Sequence, residues 1–269
     1  MKLKIYVLTD NVASNTCKAE HGLSYLVVFD EKVLFDTGQT NLFLENAQIL
    51  DSPIHETKYL VLSHGHYDHG NGLKFIDTMK LICHPDVFVK RYSGKDLKYV
   101  GLDVDEAELT KLFTIQKSKE PVWISDKMVY LGEIPRKMNF EKNTSTFYLE
   151  GKIPDPIHDD TGMVVVMNQG LFVISGCAHS GICNIIEHAR KVTGVSKVFG
   201  VMGGFHLMLN NNQTQKTIDY IKELQVEIVM PSHCTALPAL AEFYQAFGGE
   251  QVKAGTLYTF DEQFLIMKS

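Results

Sequence analysis

Long apolar runs are missing from this 269-residue chain. None approaches the roughly 20 residues that a membrane-spanning helix requires, which excludes such a helix. Basic runs are missing as well. The net charge is −6, with both signs interspersed, so nucleic acid and anionic membrane surfaces are poor partners. Cysteine is sparse: the five residues, an odd number without paired spacing, form no disulfide framework and read as reduced thiols in a cytoplasmic protein. The opening MKLKIYVLTDN has only a short apolar core, too short for a signal peptide. Proline is scarce, and most of the eight fall between residues 85 and 160.

What is present is an ordinary globular composition, 45% hydrophobic and 22% charged, on a chain long enough to bury a full core. Short β-branched runs alternate with helical spacing. KLKIYVL, LSYLVVF, KVLFD, KYLVLS and KLICH read as strands, and TNLFLENAQIL and GNGLKFIDTM as helices. Residues from about 85 to 160 are more charged and read as an elaboration over the core, with a helix near DEAELTKLF and extended pieces in PVWISDKMVYLGEIP. MVVVMNQGLFVIS then reads as a hairpin turning at NQG. Helices follow through ICNIIEHARKV, TQKTIDYIKELQ and LPALAEFYQAF, separated by the strands KVFGVM and EIVMP, and LYTFDEQFLIM closes the chain as a hairpin. The segments 22–38 and 161–177 echo each other as strand–turn–strand units ending in a glycine turn. Two such halves suit two sheets packed face to face with helices outside, an α/β four-layer αββα sandwich built as one domain over 1–269.

Chemistry concentrates in SHGHYDHGNGL. His64, His66, Asp68 and His69 lie on the loop after the strand KYLVL, where open α/β sheets collect ligands. His64 and His66 are two apart, a spacing that an extended loop turns toward one point, and Asp68 and His69 address a second point close by. Neutral imidazoles and a carboxylate suit Zn²⁺ and other first-row metals. Two ions about 3.5 to 4 Å apart would make a hydrolytic centre. An isolated HxH is ordinarily a polar surface loop; HxHxDH between a buried strand and a glycine-rich turn reads as a metal site. Three more histidines stand just past strands: His179 in SGCAHSG, His206 in GGFHL and His233 in PSHC.

HGHYDH resembles the HxHxDH signature of the metallo-β-lactamase superfamily, and VLFDTG resembles the turn that precedes it there. EHGLSYLV, FDTGQTNLFLENA, GEIPR, SGCAHSG, GGFHL and PSHCTA together resemble one branch, the 7,8-dihydropterin-6-methyl-4-(β-D-ribofuranosyl)aminobenzene-5′-phosphate synthase-like metal-dependent hydrolases. The resemblance implies the αββα fold with an inserted cap at about 85–160. It also implies a mono- or dinuclear site in which His64, His66 and His179 hold one metal and Asp68, His69 and His233 the other. Asp36 of the DTG turn would orient a ligand.

One turn departs from the superfamily pattern: SGC stands where many members carry a bridging aspartate. Cys177 occupies that place, either ligating a soft metal or lying as a buried thiol, and the buried thiol is the preferred reading. His206 is assigned to hydrogen-bonding the substrate rather than to completing the second site. Zinc, as one or two ions, is the first choice, with manganese or iron as alternatives. The implied activity is hydrolysis of a small, anionic ester, lactone or phosphoester, with Asp68 orienting the nucleophile. A synthase-type condensation of a dihydropterin with a ribosylaminobenzene phosphate and a catalytically silent metal sensor are the competing readings. The partner is a small molecule, with no nucleic acid and no membrane, and the oligomeric state is left unassigned. His84, Cys234 and His158 are read as structural, Arg136 as a candidate phosphate contact, and His21 as facing the site or capping a turn.

Overall fold

The computed structural model describes residues 1–76, 78–141 and 146–261, with the backbone of 267 and 268. Two large sheets face each other. The first runs in the order Met267–Lys268, Leu257–Asp261, Lys2–Thr9, Ser24–Val28, Lys32–Phe35, Tyr59–Val61, Lys80–Cys83, Thr114–Lys117. Its last four strands are mutually parallel. The second runs Ile228–Ser232, Val198–Gly204, Gly170–Ser175, Gly162–Met167, Met128–Tyr130, Val122–Trp123, and its first three strands are parallel.

Period-two alternation decides which side chain faces where. Ile5, Val27, Val33, Phe35 and Val61 point to the interior between the sheets, where they meet Tyr130, Met163, Val165, Phe172, Ile174 and Met202. Their neighbours Leu8, Leu26, Leu34 and Leu60 point outward, under Phe43 and Ala47 of the helix Leu42–Ile49. On the far side, Val164, Val173 and Val201 are covered by Ile182, Ile185 and Ile186 of the helix Ile182–Thr193, by Ile218 and Ile221 of Asn212–Glu223, and by Phe243 of Leu237–Phe247. Helix, sheet, sheet, helix is the αββα sandwich. The two echoing hairpins supply one strand pair to each sheet, Ser24–Val28 with Lys32–Phe35 and Gly162–Met167 with Gly170–Ser175.

Three local readings change. GNGLKFIDTM is not an α-helix: one turn, Tyr67–Gly70, passes into a 3₁₀ segment, Asn71–Phe75. Gly72 lies so close to the Thr37 carbonyl that a Cβ would collide with it, so this segment follows a backbone contact instead of an amphipathic face. The helix in DEAELTKLF is a single turn, Glu106–Leu109, capped by Asp105, because Thr114–Lys117 leaves to pair with Lys80–Cys83. Within 85–160, Thr114–Lys117, Val122–Trp123 and Met128–Tyr130 belong to the large sheets. The strands outside them, Arg91–Ser93, Lys98–Tyr99, Phe147–Leu149 and Ile153–Pro154, make a small antiparallel sheet. The turn of the closing hairpin, 262–266, lies outside the described residues. Among the described residues, no helix is long and apolar enough to cross a membrane.

Candidate metal centre

The parallel strands of both sheets end at one edge of the sandwich, and each carries a polar residue just past its end. Lys32–Phe35 delivers Asp36, Tyr59–Val61 delivers Ser63 through His69, and Gly170–Ser175 delivers Cys177 and His179. Val198–Gly204 delivers His206, and Ile228–Ser232 delivers His233. Asp36 (φ 57°), Ala178 (φ 56°), His206 (φ 49°) and His233 (φ 48°) are left-handed, a conformation that costs a non-glycine residue roughly 1 kcal/mol or more and that clusters at functional sites. Gly65 sits between His64 and His66 because a Cβ there would collide with the Val87 carbonyl.

Two sets of donors result. His64, His66 and His179 present ring nitrogens within 4.8 Å of one another, all buried. His64 Nε2 lies 2.9 Å from His66 Nδ1, and His179 Nε2 is buried with no hydrogen-bond partner. In the second set His69 Nε2 and His233 Nε2 are 3.0 Å apart, and Asp68 Oδ2 lies 3.4 Å from His233 and 3.8 Å from His69. The structure thus brings the residues of each set close together, and it also brings His64 within 4.8 Å of His69 and Cys177. Cys177 is buried as expected, but its sulfur lies 3.2 Å from His69 Nε2 rather than packing away among apolar side chains. His206 stands against His179, ring centroids 4.4 Å apart, which puts it beside the first set.

Hydrogen bonds behind these residues fix which nitrogen carries the proton. Asp36 accepts from Ser63 N, Ser63 Oγ and His69 Nδ1, each at 2.7 Å. The Ser63 hydroxyl proton is committed to Asp36, so His64 Nδ1–H must donate to Ser63 Oγ at 2.9 Å. Asn11 Nδ2 donates to the His233 carbonyl, which turns Asn11 Oδ1 to accept from His233 Nδ1–H at 3.0 Å. His64, His69 and His233 therefore each have Nδ1 engaged from behind, which leaves Nε2 as the atom directed inward. Two imidazole nitrogens 3.0 Å apart need something positive between them, a proton or a metal ion. That chemistry fits a cation.

Electrostatics keep the first set neutral. Burial holds the imidazoles of His64 and His179 well below their ordinary value and His66 at about 3. Burial also puts His233 at about 4, against an opposing hydrogen bond to Asp68. His69 differs: burial opposes its charge, yet Asp68 and Asp36 outweigh it and raise the group. Burial would raise Asp68, but His69 and hydrogen bonds from His21 and His233 hold its carboxyl well below the usual range.

Further residues complete the surroundings. His21 Nε2 sits 3.1 Å from Asp68 Oδ2, so it faces the site. Phe147 of the small sheet packs on His66 and His179, centroids 4.8 and 5.2 Å away. Asp159 accepts from Gly65 N at 2.7 Å and pairs with buried Arg91, which also holds Asp155 at 2.8 Å. The small sheet is thereby tied to the histidine loop. Nothing in the local sequence marks Phe147 or Arg91; only the fold brings them there. Arg136 donates to the carbonyls of Pro156 and Ile157, and His84 caps Asp86 and pairs with Glu133, so neither contacts the donor sets. His158 is exposed, near Glu133. A cleft of about 430 Å³ opens onto Asp68, Cys177, His179, His206 and His233, and its wall contains no lysine or arginine among the described residues.

Residues 18–78 match the family profile of the metallo-β-lactamase superfamily. An uncharacterized protein of Methanocaldococcus jannaschii is 36% identical over 250 residues, spanning 90% of this chain and 94% of that protein. Another protein of that organism, named 7,8-dihydropterin-6-methyl-4-(β-D-ribofuranosyl)-aminobenzene-5′-phosphate synthase, is 30% identical over 288 residues, 96% of this chain and 97% of its own. The chain belongs to the metallo-β-lactamase superfamily. Within that superfamily, the crystal structure of Tm1679, described as a metal-dependent hydrolase, matches with a TM-score of 0.83 at 33% identity, covering 95% of this chain and 98% of that one.

Proposed function

We propose that this metallo-β-lactamase superfamily member is a metal-dependent hydrolase acting on a small ester, lactone or phosphoester. The observation that carries the reading is the set of inward-facing imidazole Nε2 atoms, oriented by Asp36, Ser63 and Asn11, at the floor of an open cleft. His64, His66 and His179 would hold one cation, and Asp68, His69 and His233 the other. Zinc suits these donors first, with manganese or iron as alternatives. When bound, such a cation supplies Lewis acidity and makes hydroxide available near neutral pH.

The protein's own groups do the rest. Asp36 and Ser63 keep the imidazoles in one tautomer through binding and release. Asp68, ionised and held by His21, presents a carboxylate oxygen at the cleft floor, where it orients the attacking nucleophile. Phe147 covers His66 and His179 and keeps bulk water off the first set. Since the cleft wall lacks lysine and arginine among its described residues, an anionic substrate would be met by the cations and by His21 and His206. The test is metal-loaded protein against carboxyester, lactone, phosphomonoester and phosphodiester panels. Turnover that is abolished by chelation and by His66→Ala supports the reading; no turnover on any panel at full metal loading refutes it.

A second reading rests on the synthase relative, whose length this chain matches almost completely. In it the same site joins a dihydropterin to a ribofuranosylaminobenzene phosphate. Incubation with both partners and mass analysis for a coupled product decides: a coupled product establishes the condensation, and its absence alongside hydrolytic turnover removes it.

A further inference from the structure

We propose that Cys177 is a metal ligand, its sulfur taking the place of a bridging carboxylate and making the second cation position a mixed thiolate, imidazole and carboxylate site. The proposal rests on the metal-centred reading above and extends it to a residue which that reading leaves out. His69 Nε2 stands among three other donors. His69 Nε2 is 3.0 Å from His233 Nε2, 3.8 Å from Asp68 Oδ2 and 3.2 Å from Cys177 Sγ, and His233 Nε2 is 3.4 Å from Asp68 Oδ2. A tetrahedral ion with bonds of about 2.0 to 2.3 Å separates its ligands by about 3.3 to 3.7 Å, so these spacings are those of a coordination shell that needs only small adjustment.

The same sulfur reaches the other set. Cys177 Sγ, His64 and His69 lie within 4.8 Å of one another, and so do Cys177 Sγ, His233 and Cys234. Cys177 therefore faces donors of both positions, as a bridging ligand must. Cys234 is different: its sulfur is placed to donate to the Cys177 carbonyl at 3.5 Å, and it is only partly buried. We assign ligation to Cys177 alone. On binding, the Cys177 thiol releases its proton to solvent and the sulfur forms the bond to the cation.

Thiolate ligation selects softer ions. Zinc, cobalt and cadmium are favoured over manganese and magnesium at this position. Cobalt(II) titration of the full chain reads the site without any substrate. A near-ultraviolet thiolate-to-cobalt charge-transfer band should grow beside the visible ligand-field bands. Cys177→Ala should lose the charge-transfer band and one of two bound cobalt ions, while Cys234→Ala keeps both. Because truncation at a buried position can unfold the chain, Cys177→Asp serves as the second variant: it should bind two cobalt ions without the band and gain manganese affinity by about tenfold. Ligand-field bands with no charge-transfer band in the parent protein overturn the sulfur assignment and leave the metal centre intact. A band that survives Cys177→Ala or Cys177→Asp, or that vanishes with Cys234→Ala, overturns it too. No cobalt binding at all overturns both readings.

Discussion

Replacing Asp36 by asparagine changes one buried oxygen to nitrogen and should alter the protonation of two histidines. Asp36 accepts three bonds at 2.7 Å, one oxygen taking Ser63 N and the other taking Ser63 Oγ and His69 Nδ1. An amide NH₂ cannot face Ser63 N, which is itself a donor, so it must occupy the second place. The Ser63 hydroxyl then turns to accept and gives its proton to His64 Nδ1, and His69 Nδ1 must accept as well. Both imidazoles become Nε2–H, with protons where the cations would bind. Loss of such a supporting contact typically costs ten- to hundredfold in metal affinity, about 1.4 to 2.7 kcal/mol. Asparagine tolerates the φ of 57° at this position, so the fold should survive. Competition titration against a chromophoric chelator gives the affinity, and nitrogen-15 NMR of the metal-free protein gives the tautomers. Affinity within twofold of the parent, or His69 still protonated at Nδ1, would refute the reasoning.

Three further outcomes follow from the same geometry. Arg91→Met leaves Asp155 and Asp159 buried without their guanidinium and should cost about 3 to 5 kcal/mol in denaturant unfolding; a loss below about 1 kcal/mol would show that the clamp is idle. Gly176→Ala drives a Cβ into Ser63 Oγ beside Asp36 and should destabilise by about 1 to 3 kcal/mol, read as a lower melting temperature; an unchanged temperature would contradict the close approach. Metal release on acidification should come in two steps. His69 is raised, so a proton competes with the cation at the second position before it does at the first. His64, His66 and His179 are depressed, His66 to about 3, so the first position should keep its cation to lower pH than the second. Metal content after desalting at graded pH measures this, and release of all metal in a single step would contradict it.

Much of the site was legible because ligand chemistry leaves marks that spacing preserves. HGHYDH packs four donors into one loop, and His179 and His233 each follow a run that only a strand explains. Asp36 was visible as the turn residue of VLFDTG, and its bond to His69 Nδ1 is the contact expected of it. The two echoing hairpins revealed the two sheets for the same reason: period-two burial on both faces writes continuous apolar runs.

What the sequence hid depends on long-range placement. Asn11 is one polar residue past a strand, and nothing nearby says that it orients His233, 222 positions away. Phe147 reaches the imidazoles only because Phe147–Leu149 pairs with Arg91–Ser93 in a sheet assembled from distant short strands. Such pairs carry little periodicity, and the charged composition between 85 and 160 concealed that Thr114–Lys117 and Met128–Tyr130 belong to the main sheets. Cys177 was read as a buried thiol from its residue type, and only the direction of its sulfur argues otherwise.

Whether distant side chains enclose cations at the sheet edge is tested most directly by an anomalous difference map from crystals of zinc-loaded protein. Two peaks are expected, one within about 2.1 Å of ring nitrogens of His64, His66 and His179, the other at similar distances from Asp68, His69 and His233. A map at full zinc loading with no peak at either place would contradict the metal centre.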